Sequence, residues 1–228
     1  MSSSASPEKP EVVAFDIIGT MFPLGPLRPG IEALGLPPAA LEGWFATGLR
    51  DAFALSAVGD FAPLPQVLDS ALDQILAEQG LPGNPGGKAA LLEGMRRLPP
   101  RPDARDALET LARAGLRVMA VSNGARAATQ GLLEQAGLDS LVEQVVSVED
   151  VKLFKPRHEV YDHAVRLAGV SASRVALVAV HAWDINGAKA AGLTTAYVSA
   201  ERPFSPVMRR PDLEASSLAE AARLLAAL

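Results

Sequence analysis

The feature that most constrains this chain is an alternation. Short apolar runs are each followed by a helical pattern that glycine closes. Glu11-Val12-Val13-Ala14-Phe15 reads as a buried strand ending at Asp16, and residues 116–121, 144–148, 175–180 and 194–198 have the same look. Between them lie helical patterns at 103–114, 125–136, 157–168 and 184–191, stopped by Gly115, Gly137, Gly169 and Gly192. Glycine just past a helix takes up the left-handed turn that releases the chain from the last carbonyls. Strand–helix alternation with short joints makes parallel βαβ units, hence a doubly wound, mostly parallel sheet with helices on both faces. Ser217-Leu218-Ala219-Glu220 has the capping-box pattern that opens a C-terminal helix.

The interval from Thr20 to Arg101 breaks this rhythm. It holds no strand-like run and three helical stretches, about 41–58, 65–79 and 88–98. Pro23, Pro26 and Pro29 precede them, and Pro99, Pro100 and Pro102 follow; such clusters stiffen connections and stop helices. The expected organisation is therefore an α/β core domain, residues 1–20 and 101–228, with a helical cap domain, residues 21–100, inserted after the first strand. A cap in that place covers the carboxyl edge of the sheet, where open α/β sheets bind ligands.

Composition narrows the function. The 228 residues carry 21 basic and 26 acidic side chains, a net charge of −5, with no clustered positive surface for phosphates, so nucleic acid is not an expected partner. Cysteine is absent, which removes disulfides, thiolate nucleophiles and Cys-ligated metals. No apolar run approaches the roughly 18–20 residues of a membrane helix. The opening MSSSASPEKP lacks the apolar stretch of a secretion signal. A cytoplasmic enzyme or binding protein, without membrane contact, is expected.

The polar signals all fall at or just after strand ends, so they converge on one cleft. They are Asp16 with Gly19-Thr20, Ser122-Asn123-Gly124, Lys155-Pro156, and His181-Ala182-Trp183-Asp184. Taken singly, each has a structural reading as well: a turn cap for Asp16, an exposed lysine before a helix, N-caps at Ser122 and Asn123. Their order, spacing and residue types resemble the haloacid dehalogenase-like (HAD) hydrolase superfamily. The stretches FDIIGT, VSNGAR, KLFKPRHEVYDHA and VAVHAWDINGAKAAGL carry the likeness. Within that superfamily the chain is most similar to the (S)-2-haloacid dehalogenase branch.

The resemblance implies a Rossmann-like core with an α-helical cap, and a role for each matching residue. Asp16 is the implied nucleophile, able to form an ester or acyl phosphate and so divide one hard step into two. Lys155 would sit between Asp16 and Asp184, keeping both ionised and aiming the nucleophile. Thr20 and Asp184 join the catalytic group, with Asp184, aided by His181, orienting or activating the water that cleaves the Asp16 ester. Ser122 and Asn123 would grip a substrate carboxylate at a strand-to-helix turn. Ile17, Ile18, Phe45, Tyr161 and Trp183 would line the substrate site.

Position 18 bears on the chemistry. Phosphatases of the superfamily carry a second Asp there as general acid; Ile18 cannot move a proton, which an alkoxide leaving group needs and a halide does not. The stretch Ala179-Val180-His181-Ala182-Trp183-Asp184 supplies a single acid where phosphatases usually have two, so no metal and no cofactor are expected. His181 stands where the dehalogenases usually have Asn, placed to bond the hydrolytic water, Asp16 or a leaving halide. The dehalogenases carry a Trp-Arg pair early in the cap; here it is Trp44-Phe45, with Arg50 six residues from Trp44 as a candidate substitute. The expected activity is hydrolytic dehalogenation of short 2-haloacids, fluoride included, by a homodimer. Alternatives are a Mg²⁺-dependent phosphatase of a small phosphorylated metabolite and a non-catalytic HAD-fold binding protein.

Overall fold

A computed structural model describes residues 8–199 and 203–228. Most of the N-terminal stretch read above for a secretion signal lies outside the described residues. Six strands form one sheet: β1 (Val12–Phe15), β2 (Arg117–Ser122), β3 (Gln144–Ser147), β4 (Val175–Ala179), β5 (Thr194–Val198) and β6 (Leu213–Ala215). Their order is β3-β2-β1-β4-β5-β6, and every neighbouring pair is parallel. β6 is absent from the sequence reading because three residues are too few to display a strand pattern.

β1, β4 and β5 are buried at every position, as strands covered on both faces must be. The covering helices are α5 (Ala104–Arg113), α6 (Arg126–Gln135), α7 (His158–Ala168), α8 (Ala182–Ala190) and α9 (Leu218–Ala226). α5 and α9 pack together over the sheet, α8 packs on β4 and β5 beside α7, and α6 lies on β2 and β3. The four expected stop glycines all take a left-handed backbone. At α9 the Ser217 hydroxyl accepts the Glu220 N–H, but the Glu220 carboxylate reaches Ser216 rather than Ser217, one residue beyond a capping box.

Between β1 and α5 the described chain is helical: α1 (Arg28–Ala33), α2 (Ala40–Val58), α3 (Leu64–Glu78) and α4 (Pro85–Gly94), with single 3-10 turns at Gly25–Leu27 and Met95–Arg97. α1 was not expected. Pro26 and Pro29, read as stiffeners of a connection, instead open helical turns, where a missing N–H costs nothing. α2 and α3 pack closely: the buried Trp44 indole donates to the Leu68 carbonyl at 2.9 Å. Gly48 permits that approach, since a Cβ there would lie 2.5 Å from Leu68 Cδ2. The two connections to the sheet run side by side, tied by the Arg101 N–H to Met21 O at 2.8 Å and by Arg101 Nε to Thr20 O at 2.7 Å. No helix among the described residues is long and apolar enough to cross a membrane.

Candidate active site

The strand order reverses at β1: the chain runs outward through β2 and β3 on one side and through β4, β5 and β6 on the other. The crevice beyond the carboxyl ends of strands at such a switch point is where open α/β sheets bind ligands. Asp16 is the first residue past β1, its N–H donating to Val178 O of β4 at 3.0 Å. Both of its carboxylate oxygens are engaged. Oδ1 accepts Lys155 Nζ at 2.8 Å; Oδ2 accepts the Thr20 hydroxyl at 2.6 Å and faces His181 Nδ1 at 2.9 Å. The Val180 N–H donates to Thr20 Oγ1 at 3.1 Å, which turns the hydroxyl proton toward Asp16. An ionised carboxylate only accepts, so His181 presents a protonated Nδ1.

Lys155 has no exposed surface, and its three ammonium protons match three acceptors. These are Asp16 Oδ1, Asp184 Oδ2 at 2.7 Å and the carbonyl of Val121 at the end of β2 at 2.8 Å. Its backbone N–H donates to Asn123 Oδ1 at 2.9 Å, so the turn after β2 holds both ends of this lysine. Asp184, in the first turn of α8, is equally buried, and its other oxygen accepts the Tyr161 hydroxyl at 2.6 Å. A buried charge is tolerated only when paired and hydrogen-bonded, and each of these three is.

The two carboxyls differ in acidity. Burial pushes Asp16 upward, but the Lys155 ammonium and the His181 contact outweigh it and hold the group well below the usual carboxylate range. Asp184 goes the other way: burial raises it, the Asp16 charge adds to the rise, and Lys155 offsets only part. Lys155 is lowered by burial but raised more by the two aspartates, so it stays an ammonium. The two carboxyls beside Lys155 thus form an asymmetric pair, with the stronger anion at Asp16.

His181 precedes α8, and its ring stacks on Trp183 at 5.0 Å between centroids and 6.5 Å from the Phe45 ring. The ring also lies against Gly19. That position needs glycine twice over, for its φ of +89° and because a Cβ would lie 2.7 Å from the imidazole Cε1. A cavity of about 700 Å³ opens beside it, its wall including Gly19, Phe45, Leu49, Phe53, His181 and Trp183.

Several expected site residues sit elsewhere. Ile17 is fully buried in the apolar core. Ile18 faces a separate cavity of about 290 Å³ with Leu64, Leu68 and Gly124. Tyr161 is buried and reaches Asp184 rather than the large cavity. Ser122 Oγ accepts the Gly124 N–H at 2.9 Å, capping its own turn. Asn123 Nδ2 is buried without a hydrogen-bond partner. Arg50 borders the large cavity, but its guanidinium is held by Asp51 and Gln74, each at 2.8 Å. Two participants escaped the sequence reading. The Val121 carbonyl has no residue-type signal, and Ser56 of α2, whose hydroxyl accepts the Phe154 N–H at 2.8 Å, is marked only by a buried serine in a helix.

A Mg²⁺ ion needs near-octahedral oxygen coordination. Here the space between the two carboxylates holds an ammonium bonded to both, and among the described residues no cluster of three His, Asp or Glu could take up a metal. The donor set does not fit that ion.

Fold and site together define a Rossmann-like α/β protein with a carboxylate–ammonium–carboxylate centre at its switch point. The family model for haloacid dehalogenase-like hydrolases matches residues 10–192, and the chain belongs to that family. It is 33% identical to (S)-2-haloacid dehalogenase 1 of Pseudomonas sp. (strain CBS-3), over 80% of this chain and 81% of that protein. It is 28% identical to (S)-2-haloacid dehalogenase of Pseudomonas sp. (strain YL), over 90% of each. L-2-haloacid dehalogenase from Xanthobacter autotrophicus with chloropropionic acid covalently bound superposes with a TM-score of 0.87 at 25% identity, covering 95% of this chain and 98% of that one.

Proposed function

We propose that this chain is a 2-haloacid dehalogenase in which Asp16 is the nucleophile. The observation that carries the reading is the environment of that carboxylate: it is ionised, fixed by Thr20, His181 and Lys155, and set at the switch point. In the first step an Asp16 oxygen forms a bond to C2 of the haloacid while the carbon–halogen bond breaks, and the halide leaves with the electron pair. C2 is inverted and an aspartyl ester results. In the second step water adds to the Asp16 carboxyl carbon and the ester C–O bond breaks. One water proton goes to the departing alkoxide, giving the 2-hydroxy acid, and the other is released. Reaction at the carboxyl carbon leaves a water oxygen in Asp16.

The substrate carboxylate is assigned to the unpartnered Asn123 Nδ2 beside the turn after β2. Asp184, with both oxygens engaged, serves as a positioning residue for Lys155. His181, beside both Asp16 and the cavity, is the group placed to orient the hydrolytic water. Phe45, where the resemblance implies an arginine, gives a departing halide no polar hydrogen; the Trp183 indole N–H on the same wall is proposed in its place. The helical unit 21–100 acts as the cap, and the proposal extends to a cytoplasmic homodimer, which light scattering on the purified chain tests.

A single turnover in ¹⁸O-water tests the chemistry. Label is expected first in Asp16, and Asp16→Asn should lower kcat by about a thousandfold or more. Full turnover with unlabelled Asp16 would refute the mechanism. Activity lost on adding EDTA, together with hydrolysis of aryl phosphates, would turn the reading to the phosphatase.

A further inference from the structure

We infer that the preferred substrates carry a large apolar substituent at C2, a medium-length alkyl chain or an aryl group, instead of the hydrogen or methyl of haloacetate and 2-halopropionate. The inference rests on the dehalogenase reading and adds a substrate class to it. A haloacid with one or two carbons beyond its carboxylate would leave most of the 700 Å³ cavity beside His181 empty, since such volumes suit ligands several times larger. The cavity also adjoins the reacting group: His181 forms part of its wall and contacts Asp16 through Nδ1. A C2 substituent directed away from Asp16 along the ring of His181 therefore points toward it.

The lining selects the chemistry. Phe45, Leu49, Phe53 and Trp183 supply apolar and aromatic surface, and Phe53 meets Trp183 edge to face at 5.2 Å. The charged residues on the wall are matched within the protein: Arg28 with Glu42, and Arg50 with Asp51. A second charged group on the substrate would compete with these pairs, whereas hydrocarbon needs no partner and gains by leaving water. Each buried methylene is worth roughly fourfold in binding.

The test is bromide release from 2-bromopropionate, 2-bromohexanoate and 2-bromooctanoate, acids of similar intrinsic reactivity. kcat/KM should rise at least tenfold from propionate to octanoate. Ala46, exposed at the cavity wall on α2, tolerates a larger side chain, so Ala46→Trp should bring the octanoate-to-propionate ratio back toward one. Ala46→Phe repeats the measurement should the tryptophan variant fold poorly. A flat or falling series with active wild-type protein, or a ratio untouched in both variants, overturns the inference and leaves the dehalogenase reading standing. No bromide from any acid and no label in Asp16 overturns both.

Discussion

At the scale of the residue, Lys155 does the most. It is one buried cation holding two buried anions, and its removal would leave like charges facing each other with no cation between them. Breaking a buried pair this way costs about 3–5 kcal/mol, so Lys155→Met should lower Tm by roughly 10 °C at neutral pH for a chain of this size. The sign of the pH dependence is the sharper check. In the wild type the depressed Asp16 contributes stability that is present above its unfolded pKa and lost as pH falls through its lower folded value. Without the ammonium, burial and mutual repulsion raise both carboxyls above their unfolded values. The variant then recovers stability as pH falls and they protonate. The Tm gap between wild type and Lys155→Met should therefore narrow from pH 7 to pH 5, measured by thermal unfolding. A constant or widening gap would mean that the lysine does not hold these charges.

At the scale of the element, the same substitution should have opposite effects in two helices. Gly187 lies in α8, where an added Cβ would sit 2.6 Å from both Pro156 Cβ and the Tyr161 hydroxyl. Gly187→Ala must therefore push α8 off the loop bearing Lys155 and break the Tyr161–Asp184 bond, costing about 1–3 kcal/mol with a fall in kcat. Gly43 in α2 is exposed, with nothing within 4 Å of its missing Cβ. Gly43→Ala should stabilise by about 0.5–1 kcal/mol through helix propensity alone. Thermal unfolding of both variants checks the pair. The contrast also shows what was legible from residue order. The strands at 116–121 and 175–180 could be read because burial on both faces makes them continuous apolar runs, and the glycine stops because they need only local geometry. Since strand ends must share one edge, Asp16, Lys155, His181 and Asp184 could be foreseen as neighbours. What could not be read depends on tertiary approach: that Ile17 is buried in the core and that Ile18 faces a second cavity. Gly187 stood in the quoted motif, but its reason, the nearness of Tyr161, exists only in the folded chain.

At the scale of the whole molecule, two of the lines of contact between the helical unit and the sheet unit bear on the site. One is the paired connections, where Arg101 joins Thr20 and Met21. The other lies across the site, where Ser56 of α2 accepts the N–H of Phe154 and the Arg157 guanidinium donates to the Ser56 carbonyl at 3.3 Å. Phe154 is buried, stacks on Phe61 at 5.2 Å, and immediately precedes Lys155. The position of the lysine is thus held from the sheet side by Asn123 and, through Phe154, from the helical side by Ser56. Ser56→Ala would leave the Phe154 N–H buried without a partner, at a cost of about 1–3 kcal/mol. If that loss falls on the contact between the units, Phe154 amide exchange should quicken about tenfold or more, while amides in the middle of β1 and β4 change less. On the dehalogenase reading, kcat should fall several-fold with little change in KM, because Lys155 acts on Asp16 and not on the bound acid. Unaltered protection at Phe154 in the variant would show that the second line of contact does not fasten the loop.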